Sequence, residues 1–240
     1  MIQAITFDFW GTLYQGTSGR DARLHLIQEW LARHAAPRRW GDLEQAYQHI
    51  SSLWEHAWRE QHRSLETFHW LREMMSFLQV DLPDTVLRSL CAPVEEVFLH
   101  TESPRPIPGV TTVLPRLAQR YRLGIISDTG LTPGRVLRTI LQQDGLLDLF
   151  QVTTYSDEIG ETKPLPGPFR RTLEALGTPP EQAVHVGDLP ETDIVGAKGV
   201  RMKAFLFLGV SQRHDGRELA DATFENYDQL ETLLEQRKWV

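Results

Sequence analysis

The 240-residue chain is short of most features that would take it out of the ordinary globular class. Its one cysteine, Cys91, excludes an intrachain disulfide and any cysteine-built metal site, and its apolar neighbours suggest an inert, buried thiol. No apolar run approaches the roughly 20 residues needed to cross a bilayer, so no membrane partner is expected. The amino terminus runs straight into an apolar strand, without the basic, then apolar, then small-residue order of a secretory leader, and the expected location is the cytoplasm. Positive charge is also scarce: 25 Lys and Arg stand against 32 Asp and Glu, a formal net charge of −7. That balance disfavours nucleic acid as a partner. A small anionic substrate would need positive groups concentrated locally, because the overall field opposes it. With 41% hydrophobic and 24% charged residues, there is material for one large domain or for one domain carrying a smaller one. Nothing in the chain sets an oligomeric state.

What is present is organised around Ile2-Gln3-Ala4-Ile5-Thr6-Phe7-Asp8-Phe9-Trp10-Gly11-Thr12-Leu13. An apolar run rich in β-branched and aromatic residues that stops at an acid and then Gly-Thr reads as a buried parallel strand. Such a strand delivers a carboxylate into the loop at its carboxyl end, where open α/β sheets bind ligands.

From Gly16 onward the pattern is helical, with apolar residues three and four apart, such as Leu24, Ile27, Leu31 and then Tyr47, Ile50, Trp54, Ala57, Trp58. Breaks at Ala36-Pro37, Arg63-Ser64 and 81–84 divide this block into about four helices, with Asp84 or Thr85 expected to cap the last. Trp54 and Trp58, one turn apart, are expected in the core of the bundle. His25, His34, His49, His56, His62 and His69 fall at irregular spacings and read as a scatter of solvated positions. A proline-rich stretch, 103–109, closes the block.

After Gly109 strands alternate with helices. Strands are expected over Tyr121–Ile126, Phe150–Tyr155, Ala183–Val186 and Met202–Phe207, and helices over Val110–Arg120, Pro133–Gln143 and Phe169–Leu176, with one short helix more. The fold class is therefore α/β, a doubly wound parallel sheet carrying an inserted all-helical domain. Residues 1–15 and 105–240 form the core and residues 16–104 the insertion. Asp8 with Thr12, Ser127 with Asp128, Lys163, and Asp188 with Asp193 stand at or just beyond strand ends. Carboxylates, a hydroxyl and one ammonium at one sheet edge make a cage for a divalent cation and a phosphoryl group.

In these motifs the chain resembles the haloacid dehalogenase-like (HAD) superfamily of hydrolases, over nearly its whole length. Asp8-Phe9-Trp10-Gly11-Thr12-Leu13 stands for the first motif, Ser127 for the second, Lys163-Pro164 for the third, and Gly187-Asp188 with Asp193 for the fourth. The resemblance implies a Rossmann-like core under a helical cap that helps to choose the substrate. It also implies Asp8 as the nucleophile of a covalent aspartyl intermediate, with Ser127 and Lys163 holding the transferred group. Mg2+ would be held by Asp8, Asp188 and the main-chain carbonyl of Trp10, with Asp193 orienting the lysine. Contacts to a small anionic substrate are expected from Thr12, Tyr14, Gln15, Asp128 and Thr129.

One departure bears on the chemistry. Phosphatases of the superfamily carry a second aspartate two residues after the nucleophile, where this chain has Trp10, and an indole neither gives nor takes the needed proton. The superfamily's dehalogenases also lack that acid, since halide leaves without a proton, but they have neutral residues where Asp188 stands. The favoured expectation is a Mg-dependent phosphatase on a small phosphorylated metabolite. The alternatives are a metal-independent 2-haloacid dehalogenase and a non-catalytic phosphate-binding protein. Asp128, directly after the motif-two serine, is a candidate base for the hydrolytic water, or else a cap of the following turn.

Overall fold

A computed structural model describes residues 1–210 and 216–236. The remainder of the expected core range, 211–215 and 237–240, lies outside the described residues. Strands β1 (Ala4–Phe7), β2 (Arg122–Ser127), β3 (Val152–Tyr155), β4 (Ala183–Gly187), β5 (Lys203–Phe207) and β6 (Ala222–Phe224) make one sheet in the order β3-β2-β1-β4-β5-β6. Every pairing is parallel. The chain winds outward one way from β1 through β2 to β3 and the other way from β4 to β6, so the order reverses between β1 and β4. Open α/β sheets bind their ligands at such a reversal.

Helices α1 (Arg20–Arg33), α2 (Trp40–Gln61), α3 (Thr67–Phe77), α4 (Asp84–Arg88), α5 (Cys91–Glu95) and α6 (Val97–His100) lie between β1 and β2. The remaining helices α7 (Val110–Ala118), α8 (Gly134–Gln143), α9 (Ser156–Ile159), α10 (Pro166–Ala175), α11 (Val195–Gly199) and α12 (Tyr227–Gln236) belong to the alternating part. The two-residue period of the strands sorts the core. Ile5, Phe7, Ile125 and Phe205 pack with α7, α8 and α12 on one face, while Ala4, Ile126, Ala204 and Leu206 pack with α10 and α11 on the other. A third apolar cluster, including Leu24, Leu31, Leu43, Trp70, Leu71 and Leu90, is built mainly from the segment between β1 and β2, with Leu131 joining it from beyond β2.

Several expectations need correction. The block holds six helices rather than about four, because 84–100 is divided into three short ones. Pro93 accounts for one division: it has no N–H to give the Ser89 carbonyl, which disfavours a helix continuing through it, and it stands in the first turn of α5, where proline is tolerated. Asp84 is the first residue of α4, preceded by Pro83, and its carboxylate takes Arg72 at 2.7 Å instead of capping. Trp54 is only half-buried and packs against the edge of the bundle core, and Trp58, also half-buried, lies outside it. Cys91 is likewise only half-buried, and desolvation pushes its thiol above the ordinary value. Both β6 and α12 lie beyond the elements anticipated.

The two connections between the sheet and the helical block run side by side. The Gln15 N–H donates to the Arg105 carbonyl at 3.0 Å and the Ile107 N–H to the Leu13 carbonyl at 2.9 Å. Among the described residues no helix is long and apolar enough to cross a membrane.

Candidate active site

Adjacent strands β1 and β4 deliver Asp8 and Asp188, respectively 6% and 8% exposed, on either side of the reversal. The Asp8 N–H donates to the Val186 carbonyl at 2.9 Å, which ties the loop after β1 to β4. Gly11 turns that loop with φ +73°, and a Cβ there would stand 2.5 Å from Asp188 Oδ2. The position therefore requires glycine twice over, for its backbone angle and for the close approach of the carboxylate.

Lys163 enters between α9 and α10 and is buried. Its Nζ donates to Asp8 Oδ1 and to Asp193 Oδ1, each at 2.6 Å. Asp193 sits on a wide helical turn, Pro190–Ile194, ahead of α11. Its other oxygen accepts the Leu189 N–H at 3.0 Å, and Oδ1 lies 3.1 Å from His185 Nε2. His185 Nδ1 in turn lies 2.8 Å from Thr6 Oγ1. Burial pushes the His185 imidazole below its ordinary value, so the ring is neutral. Asp193 can only accept, which assigns the ring proton to Nε2 and leaves Nδ1 to accept from Thr6. A buried relay, Thr6–His185–Asp193–Lys163–Asp8, thus crosses the floor of the site. His185 was not among the sequence candidates. A polar residue inside the apolar run Ala183-Val184-His185-Val186 is the signal that could have found it.

One ammonium serves too many carboxylates. Burial disfavours the Asp193 charge, but Lys163 and His185 outweigh that and hold the group at about 2. Burial also works against Lys163, yet Asp193 and Asp8 push its ammonium above the ordinary value. The other two acids are left short: burial raises Asp8 to about 7 despite Lys163, and burial with the Asp8 charge raises Asp188 to about 8. Asp188 Oδ1 is buried without a hydrogen-bond partner. Carboxylate oxygens of Asp8, Asp188 and Asp193 all lie within 4.8 Å of one another. Asp193 is already occupied by Lys163, His185 and the Leu189 N–H, so Asp8 and Asp188 are the oxygens left for a cation. A hard divalent ion such as Mg2+ fits this donor set, since it takes carboxylate oxygens and neutralises the charge that burial penalises.

Ser127, at the end of β2 next to β1, is buried, with a long 3.4 Å contact from its hydroxyl to the Asp128 carbonyl. Thr12 is buried with its Oγ1 unpartnered, while its carbonyl accepts the Tyr227 hydroxyl at 2.7 Å. Asp128 neither caps a turn nor stands free. Its Oδ1 accepts the Lys163 N–H at 3.0 Å, and its Oδ2 accepts Trp58 Nε1–H from α2 at 2.9 Å. Burial raises its carboxyl above the ordinary range. Trp58 is thereby tied to the sheet edge, and Ser64 Oγ adds a bond to the Thr129 carbonyl at 3.1 Å.

Of the expected substrate contacts, Tyr14 and Thr129 are directed elsewhere. Tyr14 is fully buried against Phe9, its ring stacked at 4.5 Å, and its hydroxyl donates to Asp144 at 2.6 Å. Gln15 is exposed on the paired connection. Thr129 donates to Asp157 at 2.7 Å and so braces the start of α9. Trp10, half-buried beside Phe9 and Phe98, lines a cavity of about 490 Å3 between the helical block and the sheet edge.

Comparison with known proteins agrees with this architecture. The family model described as haloacid dehalogenase-like hydrolase matches residues 2–201. Glyceraldehyde 3-phosphate phosphatase of Pyrococcus abyssi is 33% identical over 213 residues, covering 86% of this chain and 82% of that protein. Among solved structures, a 2-haloacid dehalogenase from Pseudomonas syringae pv. Tomato DC3000 superposes with a TM-score of 0.73 at 28% identity, over 98% of each chain. A HAD phosphatase from Thermococcus onnurineus gives 0.67 at 24% identity, over 99% of this chain and 100% of that one.

Proposed function

Because the chain belongs to the haloacid dehalogenase-like hydrolase family, we propose that it is a cytoplasmic, magnesium-dependent phosphatase of a small phosphorylated metabolite, working without the family's second aspartate. The observation that carries this reading is the buried pair of Asp8 and Asp188, of which Asp8 alone bonds the Lys163 ammonium, with Asp188 Oδ1 left unpartnered. Two such carboxylates beside an anionic substrate are costly unless a cation accompanies them. Phosphatase relatives such as the Pyrococcus abyssi protein support the same reaction class.

In this reading Asp8 is the nucleophile. Its free oxygen attacks phosphorus, the bond from phosphorus to the leaving oxygen breaks, and water later releases phosphate from the aspartyl intermediate. Lys163 holds the Asp8 carboxylate and, with the Ser127 hydroxyl, steadies the transferred group. Asp193 and His185 keep the Lys163 ammonium in place. Mg2+, held by Asp8, Asp188 and the Trp10 carbonyl, would neutralise charge on the phosphoryl oxygens. The helical block 16–104 serves as the cap, with Trp58 joining it to Asp128.

A metal-independent 2-haloacid dehalogenase is the second reading, favoured by Trp10, since halide departs without a proton. Asp188 counts against it. The deciding experiment is a screen of phosphate esters, acyl phosphates and 2-haloacids, each with magnesium and with chelator. Phosphate release abolished by chelator supports the phosphatase, and halide release indifferent to chelator establishes the dehalogenase.

A further inference from the structure

The cavity beside Trp10 has a predominantly apolar lining, and its volume of about 490 Å3 suits a small organic molecule. Tyr47, Trp54, Trp58 and Trp70 contribute from the helical block, and Trp10 and Gly130 from the sheet edge. Gly130 leaves its backbone bare under Trp54: a Cβ there would meet the indole at 3.1 Å. The cavity is placed against the reaction centre by its own walls, since Trp10 follows Asp8 by two residues and Trp58 donates to Asp128. Arg23, buried beside it, is no free anion receptor. Its donors are directed to the carbonyls of Ser18, Val94 and Leu131 and to the Thr132 hydroxyl. Flat π-faces receive a flat ring by offset or edge-to-face stacking.

Trp10 imposes a second, separate demand. With no acid two residues beyond the nucleophile, the bond from phosphorus to the leaving oxygen has to break with that oxygen keeping the electron pair and receiving no proton. Phenolic hydroxyls ionise at about 10, several units below aliphatic alcohols, so an aryloxide meets this demand and an alkoxide does not. The geometry points to aryl phosphates, monoesters of phenol-type hydroxyls, as the substrate class of this site. The inference rests on the phosphatase reading above and adds the nature of the leaving group. Asp8 forms its bond to phosphorus as the aryloxide departs into the aromatic chamber. Water then displaces Asp8, and its two protons end on the phosphate and, through solvent, on the phenol.

The test compares kcat/KM, with magnesium, for 4-nitrophenyl, phenyl, benzyl and glycerol phosphates and for acetyl phosphate. Phenyl phosphate should exceed benzyl phosphate, which carries the same ring on an alcohol, by at least about 100-fold, the range a positioned acid supplies. Trp10→Asp should raise the benzyl ester far more than the 4-nitrophenyl ester. Trp54→Ala should lower kcat/KM for the aryl esters at least tenfold more than for acetyl phosphate. Benzyl or glycerol phosphate turned over as fast as phenyl phosphate would overturn the proposal, as would Trp54→Ala penalising acetyl phosphate equally. If acetyl phosphate is hydrolysed by way of Asp8 without preference for aryl esters, only this inference fails. If no phosphate is released from any of them, the phosphatase reading fails with it.

Discussion

The crowded carboxylates make the metal-free protein's stability fall as pH rises through neutrality, the reverse of ordinary surface-acid behaviour. Asp8 and Asp188 ionise at about 7 and about 8 in the fold, against 3.8 when exposed. Folded-state values raised in this way leave the native state holding protons that the unfolded chain has lost. Their contribution is full below the unfolded value and disappears as pH passes the folded ones. Between pH 6.5 and 8 the pair holds on average about one proton, and at about 1.4 kcal/mol per proton per pH unit the loss is about 2 kcal/mol. Two other groups leave that figure nearly unchanged. Asp193, at about 2, is ionised in both states throughout. His185, lowered from 6.5, acts oppositely, but mostly below the window. For a chain of this size about 2 kcal/mol corresponds to a drop of about 4–8 °C in Tm. Magnesium at 100 times its Kd should add back about 2.7 kcal/mol and flatten the slope, because the bound acids are then ionised in the native state too. Scanning calorimetry at pH 6.5, 7.2 and 8.0, with chelator and with magnesium, measures both effects, and Asp188→Asn should remove the magnesium effect and the Asp188 share of the slope, leaving the share of Asp8, which burial raises. A metal-free Tm that holds or rises across the window, unaffected by magnesium, would refute the reasoning.

Asp8→Asn should abolish turnover while raising the metal-free Tm at pH 8, since it removes the nucleophile and one of the competing charges; phosphate release and a melt check the two halves, and undiminished turnover would remove the covalent route. Gly11→Ala should cost more than about 1 kcal/mol in backbone strain and push Asp188 aside, so that urea unfolding shows lower stability and calorimetric titration shows weakened magnesium binding. Trp58→Phe leaves a buried Asp128 oxygen without its donor and should cost about 1–3 kcal/mol, seen as a lower urea midpoint. Asp128→Asn presents an amide where both neighbours donate, so the same loosening is expected. Should Asp128 also activate the hydrolytic water, that variant would accumulate a covalent aspartyl intermediate detectable by mass spectrometry, and its absence would leave the carboxylate a purely structural role.

The fold was legible because its strongest signals are local. The apolar run ending at Asp8 and the alternation after Gly109 each follow from one element's own periodicity, and the structure places β1, β2, β4 and β5 within a residue or two of expectation. The carboxylates and Lys163 were legible because strand ends in a parallel sheet share one edge, so topology brings together residues that sequence keeps far apart. Orientation was not legible. Tyr14 and Thr129 stand beside motif residues, yet one turns into the core toward Asp144 and the other toward Asp157. Trp58 has the spacing of a bundle-core residue, but its N–H answers an acid 70 positions away. Such choices depend on partners from other elements, which no single stretch of sequence contains.

The central position of β1 also shapes how the chain can fold. Ala4 pairs with Arg122 on one side and Ala183 on the other, so the innermost strand is made first and has neither neighbour until the whole helical block has followed it. The block's separate apolar cluster and the pairing of 13–15 with 105–107 let it close early and bring β1 back to the start of the second half. Each halving of the loop that remains to be closed saves about 0.6 kcal/mol of chain entropy. A distant insertion thereby becomes an assembly aid for the sheet. Trp70→Ala, which empties the middle of that cluster, should then slow refolding of the sheet as well as weaken the block, and an unchanged refolding rate by stopped-flow fluorescence would show that β1 finds its neighbours unaided.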